Sequence, residues 1–315
     1  MIKRIFMLSM ILVVSLAFVV AGPQKERPSS QTSATEMVRI THELGSVDVP
    51  TNPSRVVIFD LGALDILDTI GIDIKGIGRG ATLPAHLAGY ADTGRYPLMG
   101  SLHEPDIEQV YLLSPELILI GGRAAPAHEE LSKIAPTVMI TLPGAHYLAT
   151  LASNVSIIAS IFPEHEARLT AEMMRLKERS NAIKEQVAAK QLTALFLMVN
   201  AGSLSVFGEG SRFSVIYDEF GFTVSDNQIE SSTHGQSASF EYLLKQNPDH
   251  LFVLDRQAAI GETEAGQGAQ QLLNNALIRG MKTKITYVDP TAWYITSGGL
   301  TATDQMINDV LGALQ

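Results

Sequence analysis

The chain contains no cysteine among its 315 residues. We therefore expect neither a disulfide framework nor a thiol-attached lipid anchor. It also lacks an H-E-x-x-H zinc motif, a G-x-S-x-G nucleophile elbow and a complete G-x-G-x-x-G or Walker phosphate loop. Residues 76–80 (GIGRG) match such a loop only loosely. These absences disfavour an enzyme without excluding one.

Basic residues are scarce relative to acidic ones. The sequence has 23 lysines and arginines against 33 aspartates and glutamates, and its formal net charge is −10 at pH 7. An acidic surface disfavours nucleic acid and anionic membranes as partners. Against this background, a cluster of arginines in a crevice would indicate a specific anionic ligand.

The N-terminal segment has the organisation of an export signal. Two basic residues precede an apolar run over residues 5–20, and small residues follow. We interpret residues 1–22 as a signal peptide, because the run is shorter than the roughly 20 residues of a membrane span; a retained anchor is the alternative. Residues 23–36 are polar and aperiodic, which predicts a flexible linker. We expect the mature protein in the periplasm of a bacterium with two membranes, with secretion as the weaker alternative.

Strand and helix patterns alternate along the rest of the chain. In residues 37–162 and 191–315, short apolar strands are separated by amphipathic helices, which predicts a mostly parallel sheet in an α/β fold. Residues 163–190 predict one long charged helix between these two parts. The expected architecture is two Rossmann-like α/β lobes joined by a single long backbone helix, with only small closure motions.

One spaced pattern occurs in both halves. Glu108 begins a segment that ends at Arg123, and Glu241 begins a matching segment that ends at Arg256. Each segment predicts a helix, a proline-acidic turn, a short apolar strand and an arginine at the strand's end. Ligands of open α/β sheets bind beyond the carboxyl ends of strands, so both arginines are expected to face one crevice. The alternative is that helix-turn-strand units of unrelated α/β proteins look alike.

A third arginine, Arg212, follows a predicted strand pair at the expected start of a helix. Guanidinium groups keep their charge, donate hydrogen bonds in a planar fork and stack on aromatic rings. Convergence of Arg123, Arg212 and Arg256 would therefore suit a flat, anionic, aromatic ligand. Taken singly, each arginine is more often a surface or ion-pair residue.

Two further residues could bind a metal ion. His234 lies in a polar loop (SSTHGQSAS), and Tyr294 follows the last predicted strand (DPTAWYITSGG). An imidazole and a phenolate are both capable ligands, and phenolate oxygen suits Fe(III). The alternative is that His234 caps a helix or a turn and that Tyr294 only packs.

The two glutamates of the repeated pattern are expected at the mouth of the crevice, one on each lobe. Glu108 and Glu241 each fall in the first turn of a predicted helix, where a carboxylate is also favoured by the helix dipole alone. A matched pair would in addition give a partner protein two docking points.

Together, these residues resemble the periplasmic siderophore-binding proteins of bacterial ABC importers, in particular the subgroup for ferric catecholates of the enterobactin and vibriobactin type. The resemblance covers nearly the whole mature chain. It is carried by the order and spacing of the following segments: RVVIFDLGALDILDTIG, PELILIGGR, NPDHLFVLDR, STHGQ and WYITSGGL.

The resemblance implies a delivery protein with no catalysis and no permanently bound cofactor. It implies that the three arginines hold the catecholate, and that His234 and Tyr294 complete the Fe(III) shell when a tetradentate siderophore leaves two sites empty. It further implies that Glu108 and Glu241 dock on arginines of an inner-membrane permease, and that the protein acts as a monomer. The alternatives are a carrier of haem, cobalamin or a hydroxamate siderophore and, less favoured, a periplasmic metalloenzyme.

Overall fold

The computed structural model describes residues 36–80, 82–142, 144–230, 232, 234–263 and 267–315. The predicted signal peptide, and all of the predicted linker except its last residue, lie outside the described residues. Among the residues that are described, no helix is both long enough and apolar enough to cross a membrane.

An antiparallel hairpin comes first in the described chain. Strand β1 (Met37–His42) pairs with β2 (Gly45–Pro50) in a two-stranded sheet of its own. The sequence predicted a strand near β1 within a parallel arrangement and did not predict β2, and that part of the prediction is wrong. Strand β2 has only two apolar residues before its final proline, Val47 and Val49, and of these only Val49 is buried, so its pattern is short and weak.

The first large sheet is parallel throughout. Its strands lie in the order β4-β3-β5-β6, and every residue in them is buried, as expected for a sheet covered by helices on both faces. This confirms the predicted parallel arrangement. The strands are β3 (Val56–Phe59), β4 (Gly76–Ile77), β5 (Leu117–Ile120) and β6 (Thr137–Met139), and the helices of this part are α1 (Leu61–Ile70), α2 (Ile107–Leu113), α3 (His128–Ser132) and α4 (Tyr147–Ile161).

One long helix, α5 (Glu166–Lys190), leads from the first sheet to the second. Its 25 residues extend over roughly 38 Å at the rise of an α-helix. The predicted connector began at residue 163, but Pro163–His165 form a separate 3₁₀ turn. With a sheet on either side of α5, the predicted fold class of two α/β lobes joined by one long helix is confirmed.

The second large sheet is mixed, with three parallel and two antiparallel strand pairs. Its order is β10-β8-β7-β11-β12, with β9 also beside β7, and the β7–β8 and β8–β10 pairs are antiparallel. Ala201 and Gly202, both at positive φ, form the tight turn that reverses the chain between β7 and β8. The strands are β7 (Thr193–Asn200), β8 (Ser203–Phe207), β9 (Thr223–Val224), β10 (Gln236–Ser237), β11 (His250–Asp255) and β12 (Lys284–Tyr287).

Short helices occur after several strands of this second part. Four of them have only four or five residues: α6, α8, α10 and α11. The sequence did not predict the last three, because so short a segment shows no periodicity. The helices are α6 (Val215–Asp218), α7 (Phe240–Gln246), α8 (Arg256–Ala259), α9 (Gln267–Leu273), α10 (Ala276–Arg279), α11 (Pro290–Tyr294) and α12 (Leu300–Leu314).

The last helix returns to the first lobe. The buried carboxylate of Asp65 in α1 accepts hydrogen bonds from the backbone N–H groups of Thr301 and Ala302 at 2.8 and 3.0 Å. These donors lie in the first turn of α12, where N–H groups have no partner within the helix. Apolar residues of α1, α5 and α12 belong to one continuous buried core. This packing joins elements of the two halves of the chain.

Candidate functional site

Two strand ends supply two of the predicted arginines. Arg123 follows β5 after two glycines, and Arg256 opens α8 directly after β11. The carboxylate of Asp255 fixes this turn because it accepts from the N–H of Ala258 at 3.2 Å. Both β5 and β11 are interior strands of their sheets. Both arginines line one cavity of about 670 Å³, as the rule for open α/β sheets predicts.

The cavity receives side chains from both halves of the chain. Its cationic residues are Arg123, Arg212 and Arg256, and none of its described lining residues is acidic. Its polar and apolar wall includes Thr82, Ser101, His103, Met198, Asn200, Ser203, Ser205, Phe207, His234, Ala259, Ile260, Tyr294 and Ile295. The electrostatic character of the wall is therefore positive, although the whole protein is acidic.

Tyr294, the last residue of α11, is the point on which the three arginines converge. The Nε of Arg256 donates to its phenolic oxygen at 2.9 Å. Its backbone carbonyl oxygen accepts from Arg123 at 3.1 Å and from Arg212 at 3.2 Å. Arg123 comes from the first lobe and Arg212 from the second, so one carbonyl oxygen joins the two lobes across the crevice.

The same tyrosine ring is surrounded by guanidinium groups. The guanidinium carbons of Arg212, Arg256 and Arg123 lie 4.5, 5.6 and 5.8 Å from its ring centroid, within the range of cation–π attraction. Arg212 also lies 4.9 Å from the ring of Phe213. One aromatic ring therefore lies within cation–π distance of three like charges.

The guanidinium group of Arg212 has a shifted pKa. Burial lowers the pKa of its guanidinium to about 10; Tyr294 opposes this shift, whereas the charges of Arg123 and Arg256 add to it. The group still carries its charge at neutral pH. Since none of the described residues that line the cavity is acidic, an anionic ligand would supply a counter-charge to this buried cation.

His234 lies in a turn held against β8. The strand that follows it, β10, pairs with β8, and the N–H of Gly235 donates to the carbonyl oxygen of Ser232 at 3.4 Å. Gly235 has a φ of +73°, and a side chain there would collide with the ring of Phe207. This close approach places His234 in the wall of the cavity that Tyr294 also lines.

Glu108 and Glu241 lie outside the cavity wall, each in the exposed first turn of a seven-residue helix. Asp106 caps α2 by accepting from the N–H of Gln109 at 3.1 Å, and Ser239 caps α7 by accepting from Tyr242 at 3.2 Å. Hydrogen bonds from its own backbone and from Ser239 lower the pKa of Glu241. Within the described part of the chain, neither glutamate forms an ion pair.

Sequence reasoning missed other residues of the site. Asn200, at the end of β7, accepts from Arg256 at 3.2 Å, and its position at a strand end was the available signal. His103 and Ser101 line the cavity from a loop that no motif marked.

Asp60, at the end of β3, lies next to Gly121, where any side chain would collide with its carboxylate. Burial raises the pKa of Asp60, and Arg123 opposes the shift.

The sequence model of the periplasmic binding protein family matches residues 56–286. Among curated proteins, the chain is 35% identical over 321 residues to the petrobactin-binding protein YclQ of Bacillus subtilis, covering 99% of each chain. It is 31% identical over 284 residues to the ferric-anguibactin-binding protein FatB of Vibrio anguillarum, covering 88% of this chain and 87% of FatB.

Solved structures show the same similarity. The crystal structure of YclQ superimposes with a TM-score of 0.84 at 36% identity, covering 89% of this chain and 99% of YclQ. The catecholate-siderophore-binding protein VctP of Vibrio cholerae gives a TM-score of 0.82 at 34% identity, covering 88% of this chain and 100% of VctP. Both similarities extend over both sheets and the long helix between them.

Proposed function

Because the chain belongs to the periplasmic binding protein family, we propose that it captures an Fe(III)–catecholate siderophore and delivers it to an inner-membrane ABC permease for iron uptake. The relatives named above bind petrobactin, ferric anguibactin and catecholate siderophores according to their names. The ferric siderophore is a transported ligand and not a resident cofactor.

One observation carries this proposal. Arg123, Arg212 and Arg256 converge on a single aromatic ring, in a cavity whose described wall has no acidic residue. A catecholate is flat, aromatic and anionic, so it can receive guanidinium hydrogen bonds at its oxygens and guanidinium stacking on its ring. Neutral ligands such as cobalamin would leave the buried charge of Arg212 without a counter-charge.

His234 and Tyr294 are proposed as protein ligands to the iron of a tetradentate siderophore. Two catechols fill four positions of an octahedral Fe(III) shell, and an imidazole nitrogen with a phenolate oxygen would fill the rest. The phenolic oxygen of Tyr294 lies in the cavity wall, where it accepts the hydrogen bond from the Nε of Arg256. A tris-catecholate fills the shell by itself, so it would depend on the arginines more than on Tyr294.

The two matched glutamates support delivery of the siderophore to a permease. Glu108 and Glu241 expose carboxylates on α2 and α7 that form no ion pair among the described residues, and we propose that each meets a basic side chain of the permease. In this proposal the protein acts as a monomer in the periplasm after removal of residues 1–22. Lobe closure stays small because α12 of the second half is bonded to α1 of the first.

Titration with a panel of ligands tests the proposal, and the fluorescence of the protein's own tryptophan can report binding. The sole tryptophan, Trp293, is fully buried and directly precedes Tyr294. Titration with ferric tris-catecholate, ferric bis-catecholate, ferric hydroxamate and haem should quench its fluorescence at the lowest concentrations for the two catecholates. Tighter binding of the hydroxamate or of haem would contradict the catecholate assignment and support the corresponding carrier.

A further inference from the structure

The helices that carry the two proposed docking glutamates also expose large apolar side chains. On α2, Tyr111 is 67% exposed and Leu112 is 65% exposed; on α7, Leu244 is 37% exposed. Ile107, at the start of α2, is 36% exposed. A single exposed apolar side chain needs no explanation, but a group of them on two short helices does.

The repeated sequence pattern places these side chains at matched positions. Two residues after each glutamate, Val110 and Leu243 are buried and anchor their helices to the cores. Three residues after each glutamate, Tyr111 and Leu244 are exposed. Residues three apart on a helix lie on the same face, so each carboxylate has an apolar neighbour at the surface.

The fourth position after each glutamate differs between the copies. It is Leu112 on α2 and Lys245 on α7, and both are exposed. The face of α2 is therefore more apolar, whereas the face of α7 carries a positive charge. Lys245 forms no ion pair with Glu241 or with another acidic group among the described residues, so its charge is available to a partner.

We infer that these two faces, Glu108 with Tyr111 and Leu112 on α2 and Glu241 with Leu244 and Lys245 on α7, are unequal docking surfaces for the permease. This inference rests on the proposed function. The occupant must offer a basic side chain to each carboxylate, an apolar pocket to α2 and a region that accepts a cation at α7. Because the two surfaces differ, they would select one docking orientation on a permease whose two halves also differ.

An exchange of the differing residues tests the inference. Leu112→Lys gives α2 the residue of α7, and Lys245→Leu does the reverse. Met174→Lys is the matched control, because Met174 is 59% exposed but lies on the connecting helix α5. Each variant replaces the chromosomal copy in the source bacterium, and uptake of ⁵⁵Fe is measured with a ferric bis-catecholate as the iron source. The affinity of each purified variant for the same complex is measured by Trp293 fluorescence.

We expect Leu112→Lys to bind the complex as wild type does while uptake falls on the order of tenfold, the loss associated with one well-buried interface side chain. Met174→Lys should leave both values unchanged. Uptake at the wild-type rate in Leu112→Lys would overturn the inference. So would wild-type binding to protein-free phosphatidylethanolamine–phosphatidylglycerol vesicles that Leu112→Lys abolishes, which would assign the face to lipid. Self-association that the variant abolishes would assign it to a second copy. If the wild-type protein neither binds nor imports the complex, the proposed function fails, and the inference fails with it.

Discussion

The Nε of Arg256 donates a hydrogen bond to the phenolic oxygen of Tyr294 at 2.9 Å. The backbone carbonyl of the same tyrosine receives one arginine from each lobe. Tyr294 therefore has two separable contributions. Its ring and carbonyl contact three guanidinium groups, and in the proposed function its phenolic oxygen is a ligand of the iron.

The variants Tyr294→Phe and Tyr294→Ala separate these contributions. Phe keeps the ring and the carbonyl, so affinity for a ferric tris-catecholate should stay within about twofold, whereas affinity for a bis-catecholate should fall on the order of tenfold because a ligand atom is lost. The phenolate-to-iron charge-transfer band should also disappear from the absorption spectrum. Tyr287→Phe, outside the cavity wall, is the control. An unchanged spectrum in Tyr294→Phe would remove the coordination claim.

The variant Tyr294→Ala also removes the ring. The guanidinium groups then lose their common stacking partner, so affinity for the tris-catecholate should fall below that of the Phe variant. Equal affinities of the Phe and Ala variants in a fluorescence titration would show that the ring does not organise the arginines.

Arg212→Met should change stability and affinity in opposite directions. The pKa of Arg212 in the folded protein, about 10, lies below its ordinary value, so the charged form costs free energy on folding at every pH below about 10. Met fills similar apolar space without the charge. We expect the unfolding free energy of the ligand-free protein to rise by about 1 kcal/mol in urea at neutral pH. Catecholate affinity should fall, and a loss of stability would contradict the account.

His86 should make stability depend on pH. Burial alone would lower its pKa, but the hydrogen bond and charge of Asp65, together with the charges of Asp68 and Asp289, raise it above the ordinary value. The stabilisation is thus complete below about pH 6.5 and is lost as pH rises through the raised pKa. Thermal unfolding of wild type and His86→Gln across this range should show the wild-type advantage shrinking with rising pH. A difference that is constant with pH would contradict this.

Neighbouring glycines at the end of β5 offer a matched pair of variants. A side chain at Gly121 would collide with the carboxylate of Asp60, whereas nothing lies near Gly122. Gly121→Ala should therefore shift the β5 end that carries Arg123, lower stability by about 1–3 kcal/mol and weaken catecholate binding. Gly122→Ala should change both by less than about 0.5 kcal/mol. If the two variants changed stability in urea unfolding and affinity in ligand titration by equal amounts, the predicted collision at Gly121 would be contradicted.

Local sequence patterns predicted much of the fold and several of the residues that line the candidate site. The apolar runs at β3, β5 and β11 are fully buried strands, and the strand-end rule predicted that Arg123 and Arg256 share a cavity. The elements and contacts that the sequence did not predict are either very short or join residues that are distant in the sequence. Strand β2 has one buried residue, and α11 has only five residues.

Long-range contacts explain why the rest of the site could not be predicted. The bonds from Arg123 and Arg212 to the carbonyl oxygen of Tyr294 join residues that lie far apart in the sequence. A backbone carbonyl acceptor cannot be recognised from the type of residue, since every residue has one. The contact between α12 and Asp65 could not be predicted for a similar reason, because Asp65 accepts from backbone N–H groups.

The central claim is that three arginines hold an anionic catecholate. Its most direct test is a Trp293 fluorescence titration of the triple variant Arg123→Gln, Arg212→Gln, Arg256→Gln with a ferric tris-catecholate, whose iron needs no protein ligand. We expect affinity to fall by at least about a thousandfold, because each charge-assisted hydrogen bond contributes roughly 1.5–3 kcal/mol. Full wild-type affinity in the triple variant would contradict the claim and would point to a ligand that does not need the arginines.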